Sequence, residues 1–358
     1  MSNESTGTTA TPRRVSPTSL KTFSARIFER LGVPADDAAL VADTLVEADL
    51  RGVSSHGVVR IPLYAARIRG GGMSPVTTVT VVRETPSTVL LDGNNGLGQV
   101  ISARAMAVAV ERARGSGLCF VGVRNSNHFG MAAYYSLMAV QADMVGLVFS
   151  NASPGLAPWG SIKPMLGNNP WSIAVPAGTE FPVVLDMANS VVARGKIRLA
   201  ALQGKPIPLG WAVNKRGEPT TDPHEALEGL ILPIAGYKGS GISILIDLLA
   251  GALTGAGILD ELGGLQHTDR PQRTGHLFGA VNVEAFRPIA EFKARVDEYA
   301  RRVHAAERAA GVDRVYMPGE PEWLTRQERE RNGIPLPDEV LAELRKLAED
   351  LDVPFAVD

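Results

Sequence analysis

The sequence predicts an α+β fold in which both chain ends build one helical domain and the middle is strand-rich. Three observations carry this prediction. Apolar residues recur at helical spacing in the first 50 residues and again beyond residue 289, while between them short β-branched runs alternate with Gly- and Asn-rich loops. The 358 residues leave room for about two domains at ~150 residues each. The strand, glycine loop, helix and strand of residues 89–123 outline a dinucleotide-binding unit, yet Gly93, Gly96 and Gly98 do not stand in G-x-G-x-x-G spacing. A Rossmann unit is therefore not expected.

Residues 1–15 are polar and rich in Ser and Thr, and read as a disordered tail. They lack the apolar core of a signal peptide, and polar residues follow Arg13-Arg14. Leu20, Phe23, Ile27 and Leu31 then recur at helical spacing. Gly32 stops that helix, and Pro34 opens a second one that runs to about Asp49, with Ala38, Val41, Leu45 and Ala48 on its buried face. A polar loop, 51–57, follows. Gly70 to Gly72 and Pro75 close this helical part at 16–75.

Strands are expected at 76–82 and 89–91. Gly98 reads as a helix-opening glycine before a helix at 99–114 and a strand at 118–123, which makes 76–120 a small α/β segment. That strand ends in Arg124 rather than an acid. The sheet domain, 121–285, should hold strands at 144–149, 172–175, 183–185 and 275–281, with helices at 191–201 and 241–253. Residues 241–259 are nearly all apolar, but Asp247 and the glycines predict a buried helix rather than a membrane span. A charged amphipathic helix at 289–311 and a last one from Pro337 fill 286–358.

Composition narrows the function. The chain is 45% apolar and 21% charged, with 36 basic and 38 acidic residues and a net charge of −2, which argues against a nucleic-acid or membrane footprint. The single cysteine, Cys119, excludes a disulfide scaffold, reads as a core residue, and points to a reducing cytoplasmic compartment. Six histidines show no metal-ligand spacing, so no protein-bound metal is expected.

Two histidines sit in loops beside apolar elements, where scaffolds place reactive groups. His56 follows Ser55, which could orient it or hydrogen-bond a substrate oxygen, and His128 lies in Asn127-His128-Phe129-Gly130 directly after a strand. An imidazole titrates near working pH and can pass a proton. Arg60, four residues after His56, suits two parallel hydrogen bonds to a carboxylate. Asn168 in Gly167-Asn168-Asn169-Pro170 can present its amide. Asp186 can bind a ribose hydroxyl or cap the following helix. Gly236-Tyr237-Lys238-Gly239 opens an apolar helix, where backbone amides and a lysine favour an anion.

Taken together and in order, these stretches resemble the type-two malate/L-lactate dehydrogenase family, also called L-sulfolactate dehydrogenase-like. The resemblance rests on Ala48-Asp49-Leu50-Arg51-Gly52, Ser55-His56-Gly57-Val58-Val59-Arg60, Asn127 to Gly130, Gly167 to Pro170 and Leu185-Asp186-Met187-Ala188. It continues through Ala193-Arg194-Gly195-Lys196, Thr221-Asp222-Pro223, Gly236 to Gly239 and Pro318-Gly319-Glu320, so it spans nearly the whole chain. It implies a homodimeric, NAD- or NADP-dependent oxidoreductase that interconverts 2-hydroxy and 2-oxo acids, its cofactor held by a largely antiparallel or mixed, non-Rossmann sheet. Relatives that reduce cyclic imines imply an alternative, a 2-imino acid reductase. A non-catalytic ligand-binding protein that retains the fold is the rival from another class.

Carried over residue by residue, the resemblance makes His56 the proton-transferring histidine with Ser55 as its relay, and His128 catalytic or cofactor-contacting. Arg60, Asn168, Arg194 and Gly195 fall at the substrate. His128, Phe129, Gly130, Met131 and Ala132 fall at the dinucleotide, as do Asp186, Met187 and Ala188. So do Tyr237 and Lys238, and Arg314, Pro318, Gly319 and Glu320. Two departures stand out. Tyr237 replaces a histidine common in the family, and Leu199-Ala200-Ala201 replaces a relay carboxylate present in some members.

Overall fold

The computed structural model describes residues 13–358, so most of the expected disordered tail lies outside the described residues. Its last three residues do not continue as tail. Arg13–Val15 form strand β1, antiparallel to Ile334–Leu336, because Val15 is fully buried and the Arg14 guanidinium donates to the Gly333 carbonyl at 2.8 Å. The chain divides into two compact units, one of residues up to Ala65 with Glu322–Asp358, the other of Ala66–Pro321.

In the terminal unit, Ser16 caps helix α1 (Pro17–Arg30) and Pro17 occupies its first turn, where a missing N–H costs nothing. Leu20, Phe23, Ile27 and Phe28 form its buried stripe. Helix α2 (Ala35–Leu50) carries Asp36 and Asp37 in its first turn, favourable to the positive end of the helix dipole. Its buried face holds Ala38, Val41, Leu45 and Ala48, as the apolar spacing anticipates. Two single 3-10 turns follow, Ser54–His56 and Val58–Arg60, and lead into helix α3 (Ile61–Arg69).

The larger unit is organised by a seven-stranded sheet. Its strands are β2 (Thr80–Glu84), β3 (Thr88–Asp92), β4 (Leu118–Ser126), β5 (Met144–Ser150), β6 (Trp171–Val175) and β7 (Val183–Met187). Three two-residue strands, β8 (Ala212–Val213), β9 (Pro219–Thr220) and β10 (Leu230–Ile231), make a small separate sheet. Strand β11 (Thr274–Asn282) completes the large one, in the order β2-β3-β4-β11-β5-β6-β7. Only β3 and β4 pair in parallel, joined by helix α4 (Gly98–Ser116); the remaining pairings are antiparallel. The fold is thus a mixed sheet with helices, and not Rossmann.

The β3-α4-β4 segment shows why its glycines mislead. A Cβ on Gly98 would stand 2.3 Å from the Asn127 carbonyl oxygen and 2.4 Å from that of His128. The glycine serves close packing against the His128 loop, not a phosphate. Helix α5 (Ala132–Gln141) begins just beyond that loop, and Cys119 on β4 is fully buried, with burial raising its thiol pKa.

Three expectations are corrected. The strand expected from 76 begins at Thr80, because Thr77 instead uses its hydroxyl on the Leu97 amide (3.0 Å) and its carbonyl on Arg104 (3.0 Å) to hold the start of α4. Helices α6 (Arg194–Leu202) and α7 (Pro223–Glu228) pack over a local core of Leu156, Leu166, Val192, Ile197 and Ile207. Helix α8 (Tyr237–Asp247) continues as a π turn, Leu248–Ala252, and it is buried on one face only, through Ser243, Ile246, Asp247 and Ala250. Leu245, Leu248 and Leu253 are 60%, 50% and 66% exposed, so among the described residues the apolar side chains of the other face are left uncovered. Finally, helix α9 (Ile289–His304) stops short of residue 311, where His304 turns onto Glu320. Among the described residues, no helix is long and apolar enough to cross a membrane.

Candidate active site

Ser55, His56 and Arg60 lie together on the two 3-10 turns of the terminal unit. Ser55 Oγ stands 2.9 Å from His56 Nδ1, and Arg60 Nε donates to the Ser55 carbonyl at 2.6 Å. The serine hydroxyl can donate to Nδ1 or accept from it, so the contact orients the ring; in the tautomer with Nδ1–H donating to Ser55 Oγ, Nε2 is the basic nitrogen. Burial and the Arg60 charge push the imidazole down to about 4, so at neutral pH it is an uncharged base. Arg60 is half-buried, and its Nε bond fixes the plane of the fork carried by its two terminal nitrogens.

The other candidates belong to the larger unit. The His128 amide donates to Gln272 Oε1 at 2.8 Å, and the Gly130 amide approaches His128 Nδ1 at 3.4 Å. Asn127 anchors the loop from below, donating to Asn95 Oδ1 (3.0 Å) and the Gly96 carbonyl (2.8 Å) while accepting from Arg67 (3.0 Å). Phe129 is stacked between Tyr135 and His276, with ring centroids 5.2 and 4.6 Å away.

His276 itself is fully buried and pushed down to about 3, chiefly by desolvation. Its Nδ1 lies 2.8 Å from the Ser150 hydroxyl and its Nε2 2.8 Å from the Ser126 hydroxyl, and each serine also has a carbonyl within reach, that of Asn151 (3.0 Å) and that of Asn127 (3.4 Å).

Residues expected at a dinucleotide converge on β7. Asp186 accepts the Ala133 amide at 2.7 Å, so it caps α5 rather than the helix that follows it in sequence. The Val184 amide donates to the Pro318 carbonyl at 3.0 Å. Gly319, at φ +82°, lies so close that a Cβ would stand 2.7 Å from the Val184 carbonyl oxygen. Glu320 is fully buried and accepts His304 Nε2 (2.8 Å), the Met317 amide (2.9 Å) and Arg314. Burial alone would raise its pKa, but these donors hold it below the usual value. Arg314 also lies over the Tyr316 ring at 5.2 Å.

Asn168 is exposed, its carbonyl accepting the Asn189 amide at 2.8 Å just past Ala188. Ile234, ahead of Tyr237 and Lys238, donates its amide to the Asn189 carbonyl at 2.8 Å. Tyr237 and Lys238 are exposed at the start of α8. Arg194 is exposed and donates to the Leu227 carbonyl at 2.6 Å, and beside Gly195 there is open space. Sequence reasoning assigned no role to Asp49, Arg67, Gln272 or His276. Arg67 within Ala65-Ala66-Arg67-Ile68 carried a weak signal, a charge in an apolar helix. Among the described residues, no cluster of three or more His, Cys, Asp or Glu could hold a metal ion.

A model of the malate/L-lactate dehydrogenase family matches residues 15–345. The chain belongs to this family. Membership makes it an oxidoreductase of the hydroxy-acid class. Among relatives of the family, a malate dehydrogenase from Pyrococcus abyssi is 38% identical over 348 residues, 95% of each chain. The solved sulfolactate dehydrogenase of Methanocaldococcus jannaschii superposes with a TM-score of 0.91 at 38% identity, covering 95% of this chain and 98% of that one. An NAD(+) ureidoglycolate dehydrogenase of Escherichia coli K12 is 32% identical over 310 residues, 86% of this chain and 88% of the relative.

Proposed function

We propose that this dehydrogenase interconverts a small 2-hydroxy acid and its 2-oxo acid, using NAD or NADP. The observation that carries the reading is the Ser55-His56-Arg60 turn: an uncharged imidazole oriented by a serine hydroxyl, four residues from a planar cation. When bound, the nicotinamide supplies hydride transfer at the substrate C2. Arg60 holds the carboxylate through its terminal nitrogens, and His56 Nε2 takes the hydroxyl proton as oxidation proceeds.

The loop and strand residues fit a dinucleotide. Gly130, at φ +81°, has nothing within 4 Å of where a Cβ would stand, so its backbone lies open. Asp186 is exposed, and a carboxylate can accept from a ribose hydroxyl. Lys238 and the first amides of α8 suit a phosphate.

One observation favours a second substrate class in the reductive direction. An imidazole at about 4 carries little proton at neutral pH, which handicaps protonation of a nascent alkoxide. A protonated cyclic 2-imino acid arrives with its own proton and needs none from His56. The exposed leucines of α8 support a homodimer built on that face, and the lone buried thiol Cys119 supports a cytoplasmic setting.

The test is fluorescence titration with NADH and NADPH, then turnover of pyruvate, oxaloacetate and a cyclic imino acid with the tighter cofactor. Arg60→Ala should raise KM by about 10²-fold, the scale of losing a bidentate charged contact. An unchanged KM removes Arg60 from the substrate. No binding of either cofactor defeats the proposal.

A further inference from the structure

His56 and Arg60 sit on two single 3-10 turns, and one turn cannot hold its own geometry. Something beneath must fix them. That group is Asp49, in the last turn of α2 and 1% exposed. Its Oδ2 accepts the Val58 amide at 2.8 Å, and the Ser54 hydroxyl bonds to the same carboxyl. Gly57 lies directly over it: a Cβ there would stand 2.2 Å from the carboxyl carbon and from both oxygens. From the other side, Arg329 donates to the Asp49 carbonyl at 2.5 Å, which fixes the end of α2. The carboxyl therefore grips the residue before Ser55-His56 and the residue two before Arg60.

We propose that Asp49 is a positioning residue for the reaction, its carboxylate tying Ser54 to Val58 so that His56 and Arg60 keep one register. This rests on the assignment of those two residues to substrate. Asp49 touches neither substrate nor cofactor in this scheme; it acts through the turns above it. Burial pushes its carboxyl up to about 7, against the pull of Val58, Arg329 and Ser54, so the ionised form prevails at pH 8.

Asp49→Asn keeps an oxygen for the Val58 amide, whereas Asp49→Ala removes both acceptors. Gly57→Ala leaves the carboxyl in place but forces the backbone off it. The three variants and the parent chain are compared at pH 8 by kcat and KM for the best acid, NADH affinity and thermal midpoint. Asp49→Ala and Gly57→Ala should each lose about 10²-fold in kcat/KM, the scale of an ångström misplacement at a reacting group. The loss should fall on both kcat and KM, with NADH affinity within about twofold and Asp49→Asn recovering most of the activity, since uniform and transition-state binding are both disturbed.

If Asp49→Ala does not fold, Gly57→Ala against Asp49→Asn decides the matter. Parental kcat and KM in folded Asp49→Ala or in Gly57→Ala overturn the proposal. So does a parallel loss of NADH affinity, which would mark general collapse. A parent chain that binds NADH yet turns over no oxo or imino acid overturns the underlying assignment and the proposal with it.

Discussion

Replacing Arg67 by methionine should destabilise the larger unit by about 3–4 kcal/mol, and the figure follows from where its guanidinium goes. Arg67 is fully buried and donates to the Gly72 carbonyl (2.8 Å), Asn127 Oδ1 (3.0 Å), the Arg270 carbonyl (3.2 Å), the Leu265 carbonyl (3.4 Å) and the His267 carbonyl. Methionine fills the volume of the stem but donates nothing. Leu265, His267 and Arg270 are at least partly exposed, so water can satisfy their carbonyls. Gly72 and Asn127 are buried, and each acceptor left without a donor costs ~1–3 kcal/mol. The desolvation of the guanidinium, which methionine avoids, offsets part of the loss.

At roughly 2–4 °C per kcal/mol, the thermal transition should fall by about 10 °C, read by circular dichroism. Because Asn127 precedes His128, NADH affinity should weaken as well. A midpoint within ~2 °C of the parent, with unchanged NADH affinity, would refute this account of the loop.

Other outcomes are equally definite. In an NMR titration the His56 imidazole should titrate at about 4, and Arg60→Gln should move it upward, because one of the two forces holding it down is the Arg60 charge; a histidine titrating normally at this position contradicts the site geometry. Asp297→Ala should cost ~1–2 kcal/mol at pH 7, since the carboxylate accepts the amides of Gly178 (2.9 Å), Thr179 (2.8 Å) and Glu180 (3.2 Å) as well as the Thr179 hydroxyl (3.0 Å). Burial raises the Asp297 pKa but these donors outweigh it, so the folded pKa lies below 3.8. The contribution is therefore present above that value and lost as pH falls below it, and denaturant curves at pH 7 and 3 check this. Gly98→Ala should cost ~1–3 kcal/mol and loosen NADH, as its methyl drives against the Asn127 and His128 carbonyls; full NADH affinity in that variant would detach the loop from the cofactor.

What the sequence made legible was whatever is local. Ser55, His56 and Arg60 are neighbours in the chain, so a short motif places them together, and the apolar stripes of α1 and α2 follow from spacing alone. The glycines at 93–98 could be set aside because a phosphate loop has its own spacing. The real use of Gly98, packing the start of α4 against the Asn127 and His128 carbonyls, depends on contacts that spacing does not encode.

The supports of the His128 loop come from far away: Arg67 lies 60 residues before Asn127, and Gln272 lies 144 residues after His128. Asp186 illustrates the same limit. A carboxylate before a helix suggests a cap, but the sheet folds it onto α5, which precedes it by about fifty residues. Helix α8 shows another, since apolarity announces that a face must be covered and says nothing of which chain covers it.

The place of β11 bears on how this chain is made. It pairs with β4 on one side and β5 on the other, yet it is synthesised about 130 residues after β5 is complete. At ~5–20 residues per second, the ribosome leaves both strand edges unpaired for roughly 6–26 s. Such edges invite pairing with other nascent chains, so translation speed and chaperone capture over this interval should govern soluble yield more than the stability of the finished protein does. The terminal unit waits longer still: β1 pairs with Ile334–Leu336, which the ribosome adds about 320 residues later.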